Sequence, residues 1–557
     1  MKEQTAPRFI ERILEIIPGA LVWMALAAPI VLSFSYPTHV AYFIIAFDIF
    51  WFFKAFYMSK NLIHAYSFMM IDQKTDWNKK LNELNDINSV KEELKKFIEK
   101  EKRKIYTIPP FSFLLRISKK WRKKISYFNY SREFLGLLSN VNQEDIINAN
   151  GIYHLIILAT FQEDISILRQ SINAVKESNF DNKKVLFVLA GEERDKERFI
   201  EYRDQLSKEY EDTFGFFMST IHPMNIEGEV KGKGGNITFA GREALKRVNE
   251  MGLNYSNVIV TTLDADNIVH PQYLPVLTYK YAINKSRVYR SFQPVPIFNN
   301  NIWDVPAPVR IVGMSNGFWQ LIESTRPERL RNFSSHAQSL AALVDTNFWS
   351  TTTIVEDGHQ YWRTFFRYDG DHEVVPLFMP IYQDAVQEDT FLKTMKAQYV
   401  QLRRWAWGAS DFPYVTINTF KNNKIPLYKK IIAMYRMMEG YFFWATAPMF
   451  ITIAGWLPGL INTGFKYTVV AFNLPQITSL LMTIATVGIF VNILVSILLL
   501  PPRPKKYNIG RHIMMGVQWV LLPFVTLFLS AIPAIDAQTR LMIGKRLDWK
   551  VTKKKKR

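Results

Sequence analysis

Val258-Ile-Val-Thr-Thr-Leu263 runs directly into Asp264-Ala-Asp266-Asn267. The first six residues are apolar or β-branched, which predicts a buried strand. In open α/β sheets, ligands bind beyond the carboxyl ends of the strands. Two carboxylates one residue apart at such an end suit a divalent cation that also contacts phosphate oxygens. They equally suit a helix N-cap or an Asx-turn, so the pair alone leaves both interpretations open.

The same kind of strand occurs twice upstream. Tyr153-His-Leu-Ile-Ile-Leu158 predicts one strand, the stretch from Ile165 to Ser178 predicts a helix, and Val185-Leu-Phe-Val-Leu189 predicts a second strand. Alternation of strand, helix and strand predicts a parallel sheet with right-handed crossovers. The middle of the chain is therefore expected to be an α/β domain.

Two more clusters of chemically active residue types follow the first one. In Ile354-Val355-Glu356-Asp357, an apolar run leads into two acids at a strand end or a helix start. A carboxylate there can act as a general base on a hydroxyl, or simply favour the start of a helix. In Gln401-Leu-Arg-Arg404-Trp405, Arg offers a planar set of donors for phosphate and Trp offers a flat face for a sugar. The alternative is a basic, aromatic segment at a membrane interface.

The segment Lys231-Gly-Lys-Gly-Gly-Asn236 is a candidate phosphate-binding loop. Glycines let the backbone approach an anion closely, and successive N–H groups can surround it. Lys233 adds a positive charge, and Asn236 is a candidate ligand of a sugar or nucleotide. The alternative is a Gly/Lys loop without a ligand.

Apolar stretches flank this middle region. Residues 18–36 and 40–58 are each about 20 residues long, enough to span a bilayer, so they predict a helical hairpin rather than a cleavable signal peptide. Asp48 lies inside the second stretch, either in a direct role or in contact with a neighbouring helix. Four to six spans are expected in all. The C-terminal candidates follow an amphipathic interface helix at 423–438 and cover residues 440–462, 475–500 and 513–535.

The composition agrees with a membrane protein of more than one unit. The chain has 557 residues, 14 Trp and a net charge of +19, and it has no Cys. It therefore has no disulfide, no thiolate nucleophile and no Cys-bound zinc. No nucleic-acid-binding motif is present. We attribute the positive charge to a cytoplasmic Lys/Arg bias and to contact with anionic membrane lipids, for which the basic segment 119–124 is a candidate.

These motifs, with Ala159-Thr-Phe-Gln-Glu163, resemble those of membrane-embedded family 2 glycosyltransferases, the cellulose-synthase-like, processive D,D,D,QxxRW type. They keep the family's order of P-T-Y-N-E, K-x-G-N, D-x-D, E-D and Q-x-x-R-W, over roughly residues 150 to 410. The resemblance implies an α/β fold with a cytoplasmic GT-A-type, Rossmann-like domain flanked by transmembrane helices. The domains expected are a transmembrane hairpin at 1–60, a charged helical insertion at 61–150, the glycosyltransferase domain at 151–420, an interface helix and transmembrane helices at 421–536, and a basic cytoplasmic tail at 537–557.

The resemblance also implies the activity of an inverting, metal-dependent hexosyltransferase at the cytoplasmic face of the cell membrane. Both termini of the chain are expected in the cytoplasm. A sugar would pass from a nucleoside-diphosphate sugar, with a UDP-sugar expected, to a hydroxyl of a glycan or lipid-linked acceptor, most simply in polysaccharide synthesis. A single-transfer enzyme acting on a lipid and a non-catalytic scaffold or export subunit are the alternatives.

The resemblance assigns roles to residues. Two segments depart from the family pattern: residues 190–194, where relatives carry an acidic pair before Gly-Ser, and residues 334–336, where relatives often carry F-x-G-S. Donor and acceptor identity are expected to depend on these segments. The expected roles are Asp357 and Glu356 in catalysis, Asp266 and Asp264 at Mg²⁺ or Mn²⁺, Thr160, Glu163, Glu192, Lys233, Asn236 and Asp264 at the donor, and Gln401, Arg404, Trp405, Ser335 and His336 at the acceptor.

Overall fold

The computed structural model describes residues 7–106, 119–485 and 487–547. Its centre is an eight-stranded mixed sheet. The three predicted elements at the start of this sheet, strand, helix and strand, are confirmed with small shifts at their ends. The strands are β1 Tyr153–Ala159, β2 Val185–Glu192, β3 Phe216–His222, β4 Val258–Asp264, β5 Ile268–Val269, β6 Arg290–Ile297, β7 Ala337–Ser339 and β8 Glu373–Tyr382.

The strand order is β3-β2-β1-β4-β7-β6-β8-β5. The first four strands are parallel, and β7 runs antiparallel to both β4 and β6. In this register Ala159 lies opposite both Ala190 and Asp264. The carboxyl ends of β1, β2 and β4 therefore meet at one edge of the sheet, as expected of a nucleotide-binding α/β domain.

Helices cover both faces of the sheet, and the α/β fold class is confirmed. Buried apolar residues of β1, β2 and β4 alternate between two cores, because successive side chains of a strand point to opposite faces. Counting from the N-terminus, the helices packed around the sheet are α6 Ile165–Lys176, α7 Lys196–Tyr210, α8 Lys233–Glu250, α9 Tyr273–Ala282, α10 Ala307–Ser324, α11 Leu340–Asp345, α12 Glu356–Arg367, α13 Phe391–Ala406 and α14 Phe412–Lys421.

The described residues before the sheet form five α-helices. The first two, within residues 8–72, form a hairpin, and the next three, within residues 77–139, form a segment that we call the charged arm. The second helix is longer than the apolar run predicts, because it continues past residue 58 to pack on the sheet domain. There the ring centroids of Phe68 and Phe378 lie 5.4 Å apart. The hydroxyl of Tyr130 donates to Oδ1 of Asp72 at 2.6 Å, which ties the charged arm to the same end of the helix. These helices are α1 Arg8–Ser35, α2 Pro37–Asp72, α3 Trp77–Glu83, α4 Ile87–Tyr106 and α5 Lys119–Ser139.

The C-terminal region is helical. The interface helix predicted at 423–438 is not separate, since α15 continues through it into the next apolar run. The predicted basic tail is described only to residue 547. The helices are α15 Leu427–Ile453, α16 Leu457–Ile461, α17 Val469–Ala485, α18 Val487–Leu499, α19 Ile509–Val517, α20 Leu522–Thr526 and α21 Ile532–Met542.

Five helical stretches among the described residues are long and apolar enough to cross a membrane. This number lies within the predicted range of four to six. Short 3₁₀ and π-helical turns join α19, α20 and α21 without a break in the helical path. The five stretches are Arg8–Ser35, Pro37–Asp72, Leu427–Ile461, Val469–Leu499 and Ile509–Met542.

Candidate functional site

Asp264 lies at the end of β4 and faces a cleft at the carboxyl edge of the parallel strands. Its side chain is 33% exposed. Oδ1 accepts a hydrogen bond from Nζ of Lys233 at 2.7 Å, and Oδ2 accepts one from Oγ of Ser334 at 2.5 Å. The backbone N–H of Asp264 donates to Oδ1 of Asn267 at 2.9 Å, which fixes the turn after the strand. One carboxylate thus joins three segments of the chain.

The expected Gly/Lys loop is instead the start of a helix. Lys233 is the first residue of α8, and Gly234, Gly235 and Asn236 belong to the same first turn. The reason is close packing rather than a loop around an anion. A Cβ atom on Gly234 would lie 2.4 Å from the carbonyl oxygen of Ser350 and 3.1 Å from Cβ of Glu356. The first turn of α8 therefore rests directly on the first turn of α12.

Lys233 is held in its charged form. Burial alone would lower the pKa of its ammonium group, but the nearby carboxylates of Asp264, Glu356 and Asp357 outweigh burial and raise that pKa. The charged ammonium group of Lys233 therefore partly neutralises the three acids around it.

Glu356 and Asp357 occupy the first turn of α12, as one of the two sequence interpretations expected. Oδ1 of Asp357 accepts the backbone N–H of Gly358 at 2.7 Å. Burial raises the pKa of both carboxyl groups, and the charge of Asp357 raises that of Glu356 further. Lys233 opposes both shifts. Two buried acids side by side, with raised pKa values, are the arrangement expected of a proton acceptor.

Arg404 approaches the same pair of acids from α13. Its positive charge lowers the pKa values of both Glu356 and Asp357 against the effect of burial. Trp405 turns to another side, where its ring centroid lies 6.3 Å from that of Phe298 within an apolar cluster. Gln401 accepts a hydrogen bond from Nε2 of Gln398 at 3.1 Å along the same helix. Arg404 is thus the residue of the Gln401–Trp405 motif that lies near Glu356 and Asp357.

Asp266 is buried beside the cleft. It is 4% exposed, Oδ2 accepts the backbone N–H of Asp384 at 2.8 Å, and its carbonyl oxygen accepts Nδ2 of Asn300 at 2.9 Å. No group of three or more Asp, Glu or His side chains that could hold a metal ion exists within the described residues. A cation bound to a diphosphate needs only one or two carboxylates, since phosphate and water supply its other ligands.

Three of the residues expected to bind the sugar donor belong to one hydrogen-bonded network. Glu163 Oε2 accepts Oγ1 of Thr160 at 2.9 Å and the N–H of Phe161 at 2.6 Å. The carbonyl oxygen of Ala190 accepts the N–H of Thr160 and Nδ2 of Asn236, both at 2.9 Å. Thr160, Glu163 and Asn236 therefore connect the ends of β1, β2 and α8.

Glu192 is the last residue of β2 and lies beneath Arg194, with which it forms an ion pair. Burial raises the pKa of Glu192, although Arg194 opposes this shift. The guanidinium of Arg194 sits 4.3 Å from the ring centroid of Phe161. The departure from the family pattern at residues 190–194 thus covers this end of the sheet with a cation and an aromatic ring.

Residues 334–336, the second segment that differs from the family pattern, place one side chain in the cleft and two beneath it. Ser334 reaches Asp264, whereas Oγ of Ser335 donates to the buried Oδ1 of Asn267 at 2.5 Å. His336 is 1% exposed: Nδ1 lies 3.0 Å from the carbonyl oxygen of Phe333, and Nε2 accepts Nε1 of Trp349 at 3.2 Å. Burial lowers the pKa of His336 to about 4. Both ring nitrogens of His336 therefore contact groups of the protein itself.

Ser334 is the site residue that sequence reasoning did not assign. Residues 334–336 differ from the family pattern, but the resemblance gave expected roles only to Ser335 and His336. The signal that could have found Ser334 is its place directly after Phe333, at a turn that returns to the end of β4. The structure brings together Lys233, Asp264, Ser334, Glu356, Asp357 and Arg404.

No family model matches the chain, and no curated protein matches it. Similar solved structures include the mannosyltransferase PcManGT from Pyrobaculum calidifontis in complex with GDP-Man and Mn²⁺, which is 12% identical with a TM-score of 0.37 and covers 71% of this chain and 88% of that chain. S. aureus TarS 1-349 in complex with UDP-GlcNAc is 10% identical with a TM-score of 0.34, covering 60% of this chain and 90% of that chain. GalNAc-T7 with UDP, GalNAc and Mn²⁺ is 9% identical with a TM-score of 0.31 and covers 58% of each chain. At these scores the likeness carries no argument about activity.

Proposed function

We propose that the chain is a membrane-bound, inverting glycosyltransferase that uses a nucleoside-diphosphate sugar. The observation that carries this proposal is the meeting of Lys233, Asp264, Asp357 and Arg404 at the carboxyl ends of the parallel strands of the sheet. Two cations in a cleft suit a diphosphate, and a buried acid beside them suits activation of a hydroxyl. The same cleft lies next to helices of membrane-spanning length.

Asp357 is the proposed general base. Burial raises its pKa, so the ionised form is a better proton acceptor than an exposed aspartate. It takes the proton of an acceptor hydroxyl as that oxygen bonds to the anomeric carbon. The bond between that carbon and the nucleoside diphosphate breaks in the same displacement, and the anomeric configuration inverts. Glu356 contributes negative charge beside the base.

The departing diphosphate is the proposed partner of Lys233 and Arg404, whose charges oppose the negative charge that grows on it. Asp264, and Asp266 behind it, would hold Mg²⁺ or Mn²⁺, which when bound supplies further neutralisation of the diphosphate. Thr160, Glu163, Asn236 and Glu192 are proposed to line the nucleotide end. A UDP-sugar is the expected donor, and base recognition is assigned to the segment around Glu192.

The acceptor is proposed to be a glycan or lipid-linked hydroxyl at the cytoplasmic face of the cell membrane. Gln401, Trp405 and Ser335 would shape its binding site from α13 and from the turn after Asn332. Polysaccharide synthesis is the proposed process. Ser334 is added to the proposed site because its hydroxyl bonds to Asp264.

The test is release of nucleoside diphosphate by the full-length protein in lipid nanodiscs, screened over UDP-, GDP- and dTDP-sugars with Mg²⁺ or Mn²⁺. One sugar nucleotide is expected to be turned over well above background and to transfer label to a membrane-derived acceptor. Product length on a gel then separates one added sugar from a polymer. Absence of both binding and turnover over the whole panel would contradict the proposal and favour a scaffold role.

A further inference from the structure

A second polar feature lies inside the membrane-length helices, away from the sheet. It is a cavity of about 170 Å³ between α2, the end of α15 and α17. Its lining residues include Asp48 of α2 and three residues that carry hydroxyl groups, Thr452, Thr478 and Ser479. The remaining lining is apolar or glycine. A carboxylate that shares a cavity with three hydroxyl-bearing residues is unusual among helices that would otherwise contact only lipid and each other.

Asp48 is buried and yet faces this cavity. It is 4% exposed, and no hydrogen bond or ion pair to Asp48 occurs within the part of the chain that the structure describes. Lys54 is a nearby cation on the same helix, but its Nζ lies 4.4 Å from the ring centroid of Trp51 and 5.1 Å from that of Phe443. It is thus directed to an aromatic cage. A carboxylate left alone in an apolar region is costly, so a partner that enters the cavity stabilises it.

The cavity is remote from the proposed transfer site. From Asp48 to Asp72, where α2 meets the sheet domain, the helix rises by about 36 Å. At the other end of the bundle, Nδ2 of Asn462 donates to the carbonyl oxygen of Phe34 at 3.0 Å, close to the turn between α1 and α2. The cavity therefore lies towards the end of the bundle opposite the sheet.

The available ligand atoms are oxygens. The helix α15 ends at Ile453, beside the cavity, and Pro475 interrupts the hydrogen-bond pattern of α17 because proline has no N–H. Thr478 donates its hydroxyl hydrogen to the carbonyl oxygen of Pro475 at 3.2 Å, which leaves its oxygen lone pairs available to a cation. Broken helices in membranes supply carbonyl oxygens to small monovalent cations. A single carboxylate matches one positive charge, whereas Ca²⁺ and Mg²⁺ sites use more ligands or keep ordered water.

We propose that Asp48 and this cavity form an intramembrane binding site for an alkali cation of the size of Na⁺. Asp48 is its charged ligand, and Thr478 and Ser479 supply neutral oxygens. An ion held there connects α2 to α15 and α17, and so stabilises the helix bundle. The site does not depend on the proposed sugar transfer.

The test is equilibrium binding of ²²Na⁺ to the purified full-length protein, measured by scintillation proximity at constant ionic strength with choline chloride. Wild type is expected to bind one ion per chain in a saturable way. The substitution Asp48→Asn, which keeps the shape and removes the charge, is expected to weaken binding at least tenfold. The control Asp389→Asn removes a carboxylate that is 77% exposed, and its binding is expected to equal wild type.

Two results would overturn the site. The first is wild-type protein without saturable ²²Na⁺ binding, and the second is Asp48→Asn protein that binds as wild type does. If Asp48→Asn does not fold, Ser479→Ala replaces it, with a several-fold weaker affinity expected and unchanged affinity counting against the proposal. Loss of ²²Na⁺ binding with nucleoside-diphosphate release retained would separate this site from the proposed transfer reaction.

Discussion

Asp264 makes its two side-chain contacts with residues from distant parts of the sequence, Lys233 and Ser334. The ammonium group of Lys233 also lowers the pKa of Asp357. At the scale of single residues, the proposed phosphate site and the proposed base therefore share one cation. A change at Lys233 should affect both donor binding and the pH dependence of transfer.

The substitution Lys233→Met tests this link. The base acts when it is ionised, and Lys233 lowers the pKa of Asp357, so its removal raises that pKa. The acid limb of the kcat/KM profile is therefore expected to move to higher pH, with kcat/KM at least tenfold lower at its maximum. The measurement is the pH profile of nucleoside-diphosphate release. The exposed Lys231→Met is the matched control, and an unshifted acid limb in Lys233→Met would contradict the shared-cation account.

Residue identities were predicted from the sequence where chemistry alone singles them out. Acids after an apolar strand indicated Asp264, and Lys233 was indicated by its glycine neighbours. The sequence did not reveal that His336 is a buried loop residue with both ring nitrogens occupied. Ser334 was not assigned for the converse reason, since an ordinary serine becomes significant only when the fold brings it to Asp264.

At the scale of secondary-structure elements, the first turns of α8 and α12 pack against each other at the site. It depends on Gly234, where a Cβ would lie 2.4 Å from the carbonyl oxygen of Ser350. By contrast, a Cβ on Gly358, the third residue of α12, would meet nothing within 4 Å. The two glycines therefore make opposite predictions.

Gly234→Ala is expected to push α8 away from α12 and to lower transfer activity at least tenfold. Gly358→Ala is expected to keep activity near wild type and to stabilise the protein by up to about 1 kcal/mol, because alanine favours a helix over glycine. The measurements are turnover and thermal unfolding in detergent. Equal activities of the two variants would show that the contact between the helix starts does not matter for function.

The strands β1, β2 and β4 were predicted because each is a compact apolar run, and the parallel pairing of β1 and β2 followed from the helix between them. The start of α8 was not, because Gly and Lys residues are typical of loops as well as of a tightly packed first turn. The continuous helix α15 was divided in the prediction for a related reason. Its basic and apolar halves differ in composition, but helical geometry does not change between them.

At the scale of the whole molecule, the carboxylate of Asp536 is one link between the sheet domain and the last membrane-length stretch. Asp536 of α21 accepts Nη1 of Arg403 at 2.8 Å, the hydroxyl of Tyr399 at 3.0 Å and Nε of Arg540 at 2.7 Å. Arg403 and Tyr399 lie on α13, the helix that also carries Arg404. The position of Arg404 at the cleft is therefore coupled to the helix bundle.

Asp536→Asn is expected to leave Arg403 without a countercharge and to destabilise the protein by about 1–3 kcal/mol. Turnover is expected to fall with it, since α13 loses its anchor. Thermal unfolding and nucleoside-diphosphate release in nanodiscs measure the two effects. The exposed Asp389→Asn is the control, and an Asp536→Asn protein with wild-type stability and rate would count against the coupling.

Sequence predicted much of this organisation, because apolar stretches of spanning length stand out and flank the α/β region. What it did not predict is how the bundle meets the sheet. Contacts such as Asp536 with Arg403 join residues far apart in the chain, and single-sequence patterns carry no information on them. Orientation in the membrane remains a prediction from the positively charged segments.

The central claim is that Asp357 accepts the proton of an acceptor hydroxyl. The most direct measurement is single-turnover transfer of labelled sugar by wild type and Asp357→Asn protein, with donor binding measured in parallel. Transfer by Asp357→Asn is expected to be slower by about 10²- to 10⁴-fold, with donor affinity largely retained. Transfer by Asp357→Asn at the wild-type rate would contradict it.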